Sequence, residues 1–142
     1  MSLEAIKAIL PHRPPMLLVD RIVGRTEDSI TCEKDFRAEE FFFQGHYPGI
    51  PIVPGVILCE VAAQTGALLL AGKMSIAESV PVLTRLKEVK FKRMVRPGET
   101  VSCTAKISEQ VGRAFYLTAS VKVGEETAAT LTFAVSPAPK PQ

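Results

Sequence analysis

The chain has 142 residues, enough for one domain with a sizeable core, and its 46% apolar and 23% charged residues exclude a disordered chain. A net charge of +2 leaves no electrostatic footprint for nucleic acid. The three cysteines, Cys32, Cys59 and Cys103, are odd in number and form no CxxC pair, which excludes a disulfide framework and fits free thiols in a reducing compartment.

In chain order, Ser2 to Leu10 predicts a short amphipathic helix, with Ser2 as N-cap and Leu3, Ile6, Ile9 and Leu10 on one face. Pro11, Pro14 and Pro15 end it and force an extended segment. Strands are predicted over 16–23 and 29–36 around a turn at Gly24 to Asp28. The cluster Phe41-Phe42-Phe43 belongs to core or interface, because no basic residues interleave with it.

Residues Gly45 to Gln64 organise the rest. The first half is a Pro- and Gly-rich loop carrying His46. The second half enters an apolar helix at Pro54-Gly55, predicted to end near Gly72 and to be buried all round. The run approaches membrane-spanning length, but Glu60 and Gln64 interrupt it and no aromatic belt accompanies it, so no membrane partner is expected. No secretory apolar run is expected either, since Glu4 and Lys7 interrupt the first ten residues; a cytoplasmic protein is predicted.

Beyond the helix, one long strand is predicted over 80–95, with a bend near Leu86. Strands over 100–111, 114–123 and 127–135 follow, alternating apolar and polar residues and separated by the turns Arg96-Pro97-Gly98-Glu99, Gly112-Arg113 and Gly124-Glu125. An antiparallel meander interrupted by one apolar helix gives an α+β architecture, a sheet wrapped around one long central helix: the hot-dog arrangement. Residues 1–136 form a single domain in this reading, and 137–142 a Pro-rich disordered tail.

Glu60 and Gln64 lie four apart, on one helical face. A carboxylate inside an apolar helix needs a partner or a task, because desolvating a charge is costly. Glu60 is then a general acid or a holder of water, or else an acid satisfied by backbone or by Gln64. Gln64 is a packing amide or an orienting partner. His46, on a backbone made rigid by Gly and Pro, suits a base near pH 7, or is a loop histidine bonded to backbone. Pro54-Gly55 leaves free N–H groups at the first helical turn, either simple helix punctuation or an oxyanion site. His12 is predicted to be structural, near the end of the first helix. His12, His46 and the cysteines have no metal-ligand spacing. The basic run from Arg85 to Arg96 is a solvated strand face or a docking patch for an acidic partner.

Three groups of residues together resemble the (3R)-hydroxyacyl-acyl-carrier-protein dehydratases of bacterial type II fatty acid synthesis. They are Leu10-Pro11-His12-Arg13-Pro14-Pro15-Met16-Leu17-Leu18-Val19-Asp20; Gly45-His46-Tyr47-Pro48 with Pro51-Ile52-Val53-Pro54-Gly55-Val56 and Glu60-Val61-Ala62-Ala63-Gln64; and Lys90-Phe91-Lys92-Arg93 with Val95-Arg96-Pro97-Gly98-Glu99. The resemblance implies the hot-dog fold and loss of water from a 3-hydroxyacyl thioester to give the trans-2-enoyl thioester. It implies His46 and Glu60 as the catalytic pair, drawn from opposite subunits of a homodimer, either alone or within a hexamer built as a trimer of dimers. It implies acyl carrier protein as partner and neither metal nor organic cofactor. A glutamate at position 60, where the isomerase branch has aspartate, implies dehydration without isomerisation. Tyr47 stands in place of the more usual Phe, and Ile50 in place of a polar or basic residue. Two other activities compete: a hot-dog thioesterase with Glu60 activating water, and a non-catalytic module binding acyl groups or their carrier.

Overall fold

The computed structural model describes residues 2–74 and 79–139. Helix α1 spans Leu3–Ile9, and the Ser2 hydroxyl accepts the Ala5 N–H at 3.3 Å, the predicted cap. Arg13 closes its other end: the guanidinium donates to the carbonyls of Lys7, Leu10 and His12. That triple contact holds the Pro11-His12 segment against the helix.

Six strands follow: β1 (Arg21–Arg25), β2 (Ser29–Asp35), β3 (Ser79–Phe91), β4 (Thr100–Val111), β5 (Ala114–Val123) and β6 (Glu126–Pro139). They form one sheet in the order β1-β2-β4-β5-β6-β3, antiparallel at every pairing. Helix α2 (Gly55–Leu70) packs across its inner face, touching β2, β3, β4, β5 and β6. This is the hot-dog fold. Alternation sets the register: Val101, Cys103 and Ala105 of β4 and Phe115, Leu117, Ala119 and Val121 of β5 turn inward and are buried. Burying each of Leu58, Leu68, Leu69 and Leu70 of α2 contributes roughly 1.5–3 kcal/mol. Gly66 lets the helix approach the sheet: a Cβ there would meet Phe133 at 2.9 Å and Leu117 at 3.1 Å. Among the described residues, no helix is long and apolar enough to cross a membrane.

The strand predicted over 16–23 begins only at Arg21. The Met16 carbonyl and Leu18 N–H are taken by the Gln64 side chain of α2, so they are not available to a strand partner. The strand predicted over 80–95 ends at Phe91, because the Lys92 and Arg93 N–H groups both turn onto the Ala128 carbonyl. Its predicted bend falls between two register irregularities, at Leu83/Arg85 and at Lys87/Lys90, with Glu88 at φ 52°. The final strand outruns its prediction. β6 continues to Pro139, paired with Ser79 of β3, so residues 137–139 belong to the sheet rather than to a disordered tail; residues 140–142 lie outside those described. Pro137 and Pro139 lie beyond Val135, the last β6 residue paired with β5, so one side of the strand is open there and a missing N–H disrupts little.

Helix α2 is not buried all round. Val56 in its first turn is 73% exposed, and Glu60 keeps 29% of its side chain accessible. Tyr47, Ile50, Phe91 and Met94 are also exposed, as are Val82, Leu83 and Leu86 along the open edge of β3. These apolar side chains form a broad uncovered surface on the isolated chain.

Candidate active site

His46 lies on the loop between a short 3-10 turn (Phe41–Gln44) and α2. Phe36, Phe42 and Phe43 anchor that turn by edge-to-face contacts, Phe36 with Phe42 at 5.9 Å and Phe42 with Phe43 at 4.9 Å. Lys34, on the inward face of β2 and 3% exposed, pairs with Glu40 at 2.7 Å and ties the start of the turn to the sheet. The loop then closes on itself. Tyr47 and Ile50 exchange backbone hydrogen bonds at 3.1 and 3.0 Å, the Ile52 N–H donates to the His46 carbonyl at 2.9 Å, and Gly49 supplies φ 77° at the tip. The His46–Tyr47 peptide is cis, and the two rings stack at 4.2 Å.

The rigid loop sets the imidazole's tautomer. His46 Nδ1 lies 3.0 Å from the Ile52 carbonyl oxygen. A carbonyl only accepts, so Nδ1 carries a proton, and in the neutral ring Nε2 holds the lone pair. That is the form a base requires.

Glu60 and Gln64 are brought together as their spacing predicts. Gln64 Nε2 donates to Glu60 Oε2 at 2.9 Å and to the Met16 carbonyl at 2.7 Å, and Gln64 Oε1 accepts the Leu18 N–H at 2.8 Å. Gln64, 1% exposed, is therefore fully bonded and holds the carboxylate from one side. Both residues open on a cavity of about 360 Å³ floored by Ala63 and Ala67 and walled by Val82 and Leu83 of β3. Among the described residues, its lining is apolar apart from His12, Glu60 and Gln64.

His12 was expected to be structural only, yet it lines the same cavity. Its Nε2 lies 3.6 Å from Glu60 Oε2, an ion-pair distance rather than a hydrogen bond. Burial pushes the His12 pKa below its usual value, and the nearby Glu60 charge offsets this only in part. The sequence offered one signal for it, a histidine set between prolines directly after a helix, but nothing local reports a contact with a residue forty-eight positions away.

His46 and Glu60 do not meet within one chain. Among the described residues, no hydrogen bond or ion pair joins them, and His46 does not line the cavity that holds Glu60. At Gly55 the missing side chain is used by a neighbour: a Cβ would lie 2.8–3.1 Å from three atoms of the Phe91 ring. No side chain caps α2, and its first bonds run from the Ile57 and Leu58 N–H groups to the Pro54 carbonyl, so the Gly55 N–H has no partner inside the helix. Burial raises the pKa of Cys59, next to Glu60, which disqualifies it as a thiolate nucleophile. Among the described residues, no group of three or more His, Cys, Asp or Glu side chains gathers in a metal-binding arrangement.

The chain is similar to known proteins over nearly its whole length. Residues 23–131 match the ApeI-like family, described as ApeI dehydratase. The chain is 39% identical over 137 residues to the 3-hydroxyacyl-acyl-carrier-protein dehydratase FabZ of Streptococcus thermophilus, covering 95% of this chain and 97% of that one. It is 42% identical over 136 residues to FabZ of Pseudothermotoga lettingae, covering 95% of each. Among solved structures, the dehydratase heterocomplex ApeI:P from Xenorhabdus doucetiae superposes with a TM-score of 0.78 at 13% identity, over 95% of this chain and 91% of that one. A mutant thioesterase from Pseudomonas aeruginosa superposes at 0.72 and 12% identity, over 99% and 96%. Identities that low speak for the fold alone.

Proposed function

The chain belongs to the 3-hydroxyacyl-acyl-carrier-protein dehydratases, and on that premise we propose that His46 and Glu60, supplied by two copies of the chain, carry its reaction. The enzyme removes water from a 3-hydroxyacyl thioester in fatty acid biosynthesis. The observation that carries the site assignment is the His46 Nδ1 contact with the Ile52 carbonyl, which makes Nε2 the basic nitrogen of the neutral ring.

The chemistry requires three things. A weakly acidic proton beside the thioester carbonyl must be taken, negative charge must be held on the carbonyl oxygen, and hydroxide, a poor leaving group, must receive a proton. His46 Nε2 takes the α proton. The electron pair forms the C2–C3 double bond as the C3–O bond breaks. Glu60, directly or through a water, gives its proton to the departing oxygen, which leaves as water. His46 is then cationic and Glu60 ionised, and exchange with solvent restores both. The Gly55 N–H, at the positive end of the α2 dipole, holds the thioester oxygen, and Gln64 orients Glu60. The apolar floor and walls of the cavity beside Glu60 accept the start of the acyl chain.

A second copy is needed because one chain keeps the two groups apart. The open edge of β3 and the exposed Val56, Tyr47, Ile50 and Phe91 are the surfaces it would cover. Homodimers, and hexamers as trimers of dimers, follow as the proposed assemblies. Acyl carrier protein is the proposed carrier, and three free thiols favour a cytoplasmic setting.

Purified protein should interconvert 3-hydroxybutyryl and crotonyl thioesters, read by enoyl absorbance. His46→Ala and Glu60→Ala should each lose roughly a hundredfold to ten-thousandfold in rate. Undiminished turnover in either variant rejects that residue's role. Thiol release without change in enoyl absorbance would reassign the site to thioester hydrolysis.

A further inference from the structure

We propose that His12 is a positioning residue for Glu60: its neutral ring donates Nε2–H to Glu60 Oε2, so that two donors hold one carboxyl oxygen and Oε1 alone faces the substrate. The inference rests on the reading of Glu60 as the acid.

Three observations carry it. First, His12 Nε2 and Gln64 Nε2 converge on the same atom, at 3.6 and 2.9 Å from Glu60 Oε2. With Oε2 engaged from two sides, the exchangeable proton belongs on Oε1. Second, among the described residues His12 Nδ1 is buried with no hydrogen-bond partner. An orphaned N–H is rarer and costlier in a protein interior than an orphaned lone pair, so the proton sits on Nε2, the nitrogen aimed at Glu60. Third, the His12 backbone is held in place. Arg13 Nη1 donates to the His12 carbonyl at 2.7 Å and to the Leu10 carbonyl at 2.8 Å, while Nη2 reaches the Lys7 carbonyl at 3.0 Å. The guanidinium thus fixes the His12 backbone while spending its own donors on carbonyls rather than on Glu60.

The remaining 3.6 Å is longer than a hydrogen bond. Catalytic contacts are often long in the unliganded enzyme and tighten around substrate. Among the residues lining the cavity, His12 and Glu60 are the two that titrate; the walls contributed by β3 and β6 are Pro81, Val82, Leu83 and Val135, and the helix adds Ala63, Gln64 and Ala67. Burial also keeps His12 neutral below the usual histidine range, so the proposed donor persists through the working pH.

The consequence is a shift in acid strength. An N–H donated to a carboxylate favours its ionised form and lowers its pKa. Removing that donor lets Glu60 keep its proton to higher pH and loosens its aim. In His12→Phe, kcat should fall about tenfold to a hundredfold, the worth of a hydrogen bond to a charged group. The limb of the kcat profile that Glu60 sets should move up in pH, while the limb set by His46 stays. His12→Gln, whose amide can reach the same oxygen, should recover most of kcat and return the limb toward its original position. A merely structural His12 would lower the melting temperature without moving either limb.

A measurement on the unmutated enzyme guards against a His12→Phe variant that does not fold. With histidine labelled in nitrogen-15, the His12 ring at neutral pH should be the Nε2–H tautomer, and Glu60→Gln should change its shifts. An Nδ1–H ring, or full activity and an unmoved pH profile in folded His12→Phe, overturns the proposal. Glu60→Gln separates the two levels of inference. Full turnover there removes Glu60 as the acid; an inactive Glu60→Gln beside an unaffected His12→Phe removes His12 alone.

Discussion

Gln64 Nε2 donates to Glu60 Oε2 at 2.9 Å while the same amide clasps the Met16 carbonyl at 2.7 Å and the Leu18 N–H at 2.8 Å. One buried side chain therefore joins the carboxylate to the segment that leads from His12 into β1. Replacing it with Leu leaves the buried Leu18 N–H and the half-buried Met16 carbonyl unsatisfied. Gln64→Leu should lose about 1–3 kcal/mol of stability for each orphaned group, read by denaturant unfolding, and kcat should fall with it. A variant of unchanged stability would mean that water or another group satisfies the segment.

The separation of His46 from Glu60 in one chain makes a stoichiometric prediction. His46→Ala and Glu60→Ala subunits, each inactive, are mixed and allowed to reassemble. A heterodimer then has one site with neither group and one site with both. Random assembly should restore about a quarter of wild-type activity. Mixtures as inactive as the parents would mean that each site is built from a single chain.

Two glycines of α2 should respond differently to alanine. At Gly66 the added methyl meets the buried Phe133 and Leu117, at 2.9 and 3.1 Å. Overpacking costs roughly 1–3 kcal/mol, more than the ~1 kcal/mol that alanine contributes over glycine inside a helix. At Gly55 the clash is with the far end of Phe91, which is 53% exposed and free to turn away. Melting temperatures should show Gly66→Ala destabilised and Gly55→Ala close to wild type. Equal losses would show that Phe91 is pinned, as it would be by a partner subunit.

Acid sensitivity should centre on Asp35. Bidentate hydrogen bonds from Arg21, at 2.9 and 2.7 Å, and another from Thr100 at 2.7 Å hold its carboxyl well below the ordinary 3.8. A depressed folded pKa means that this stabilisation is fully present above the unfolded value and is lost as pH falls below it through the folded pKa. Glu99, lowered by its hydrogen bonds from Arg93, behaves the same way. The Arg21 side chain is 40% exposed, so solvent screening limits its pair to about 1 kcal/mol. Arg21→Met should flatten the dependence of unfolding free energy on pH below about 4. An unaltered slope would assign acid sensitivity to other carboxylates.

Much of this architecture was legible in the order of residues alone. The Ser2 cap, the Pro54 entry to α2, and the alternation along 100–111 and 114–123 are local patterns, and each predicts the element that forms there. The four-residue spacing of Glu60 and Gln64 brings them together because a helix converts spacing directly into contact. Family motifs added the chemistry, since they carry residue types in a fixed order.

Other features depended on contacts between distant segments, which leave no periodic trace. Residues 137–139 join the sheet because β3 offers them a partner, overriding a composition that reads as tail. Met16 to Leu18 forgo strand pairing because a helix amide claims them. His12 reaches Glu60 because Arg13 folds the chain back after α1, and His46 stays apart from Glu60 because its loop closes on its own backbone. Local order determined which groups this protein owns; the folded chain decided which of them touch, because proximity across a core is fixed by packing and not by spacing.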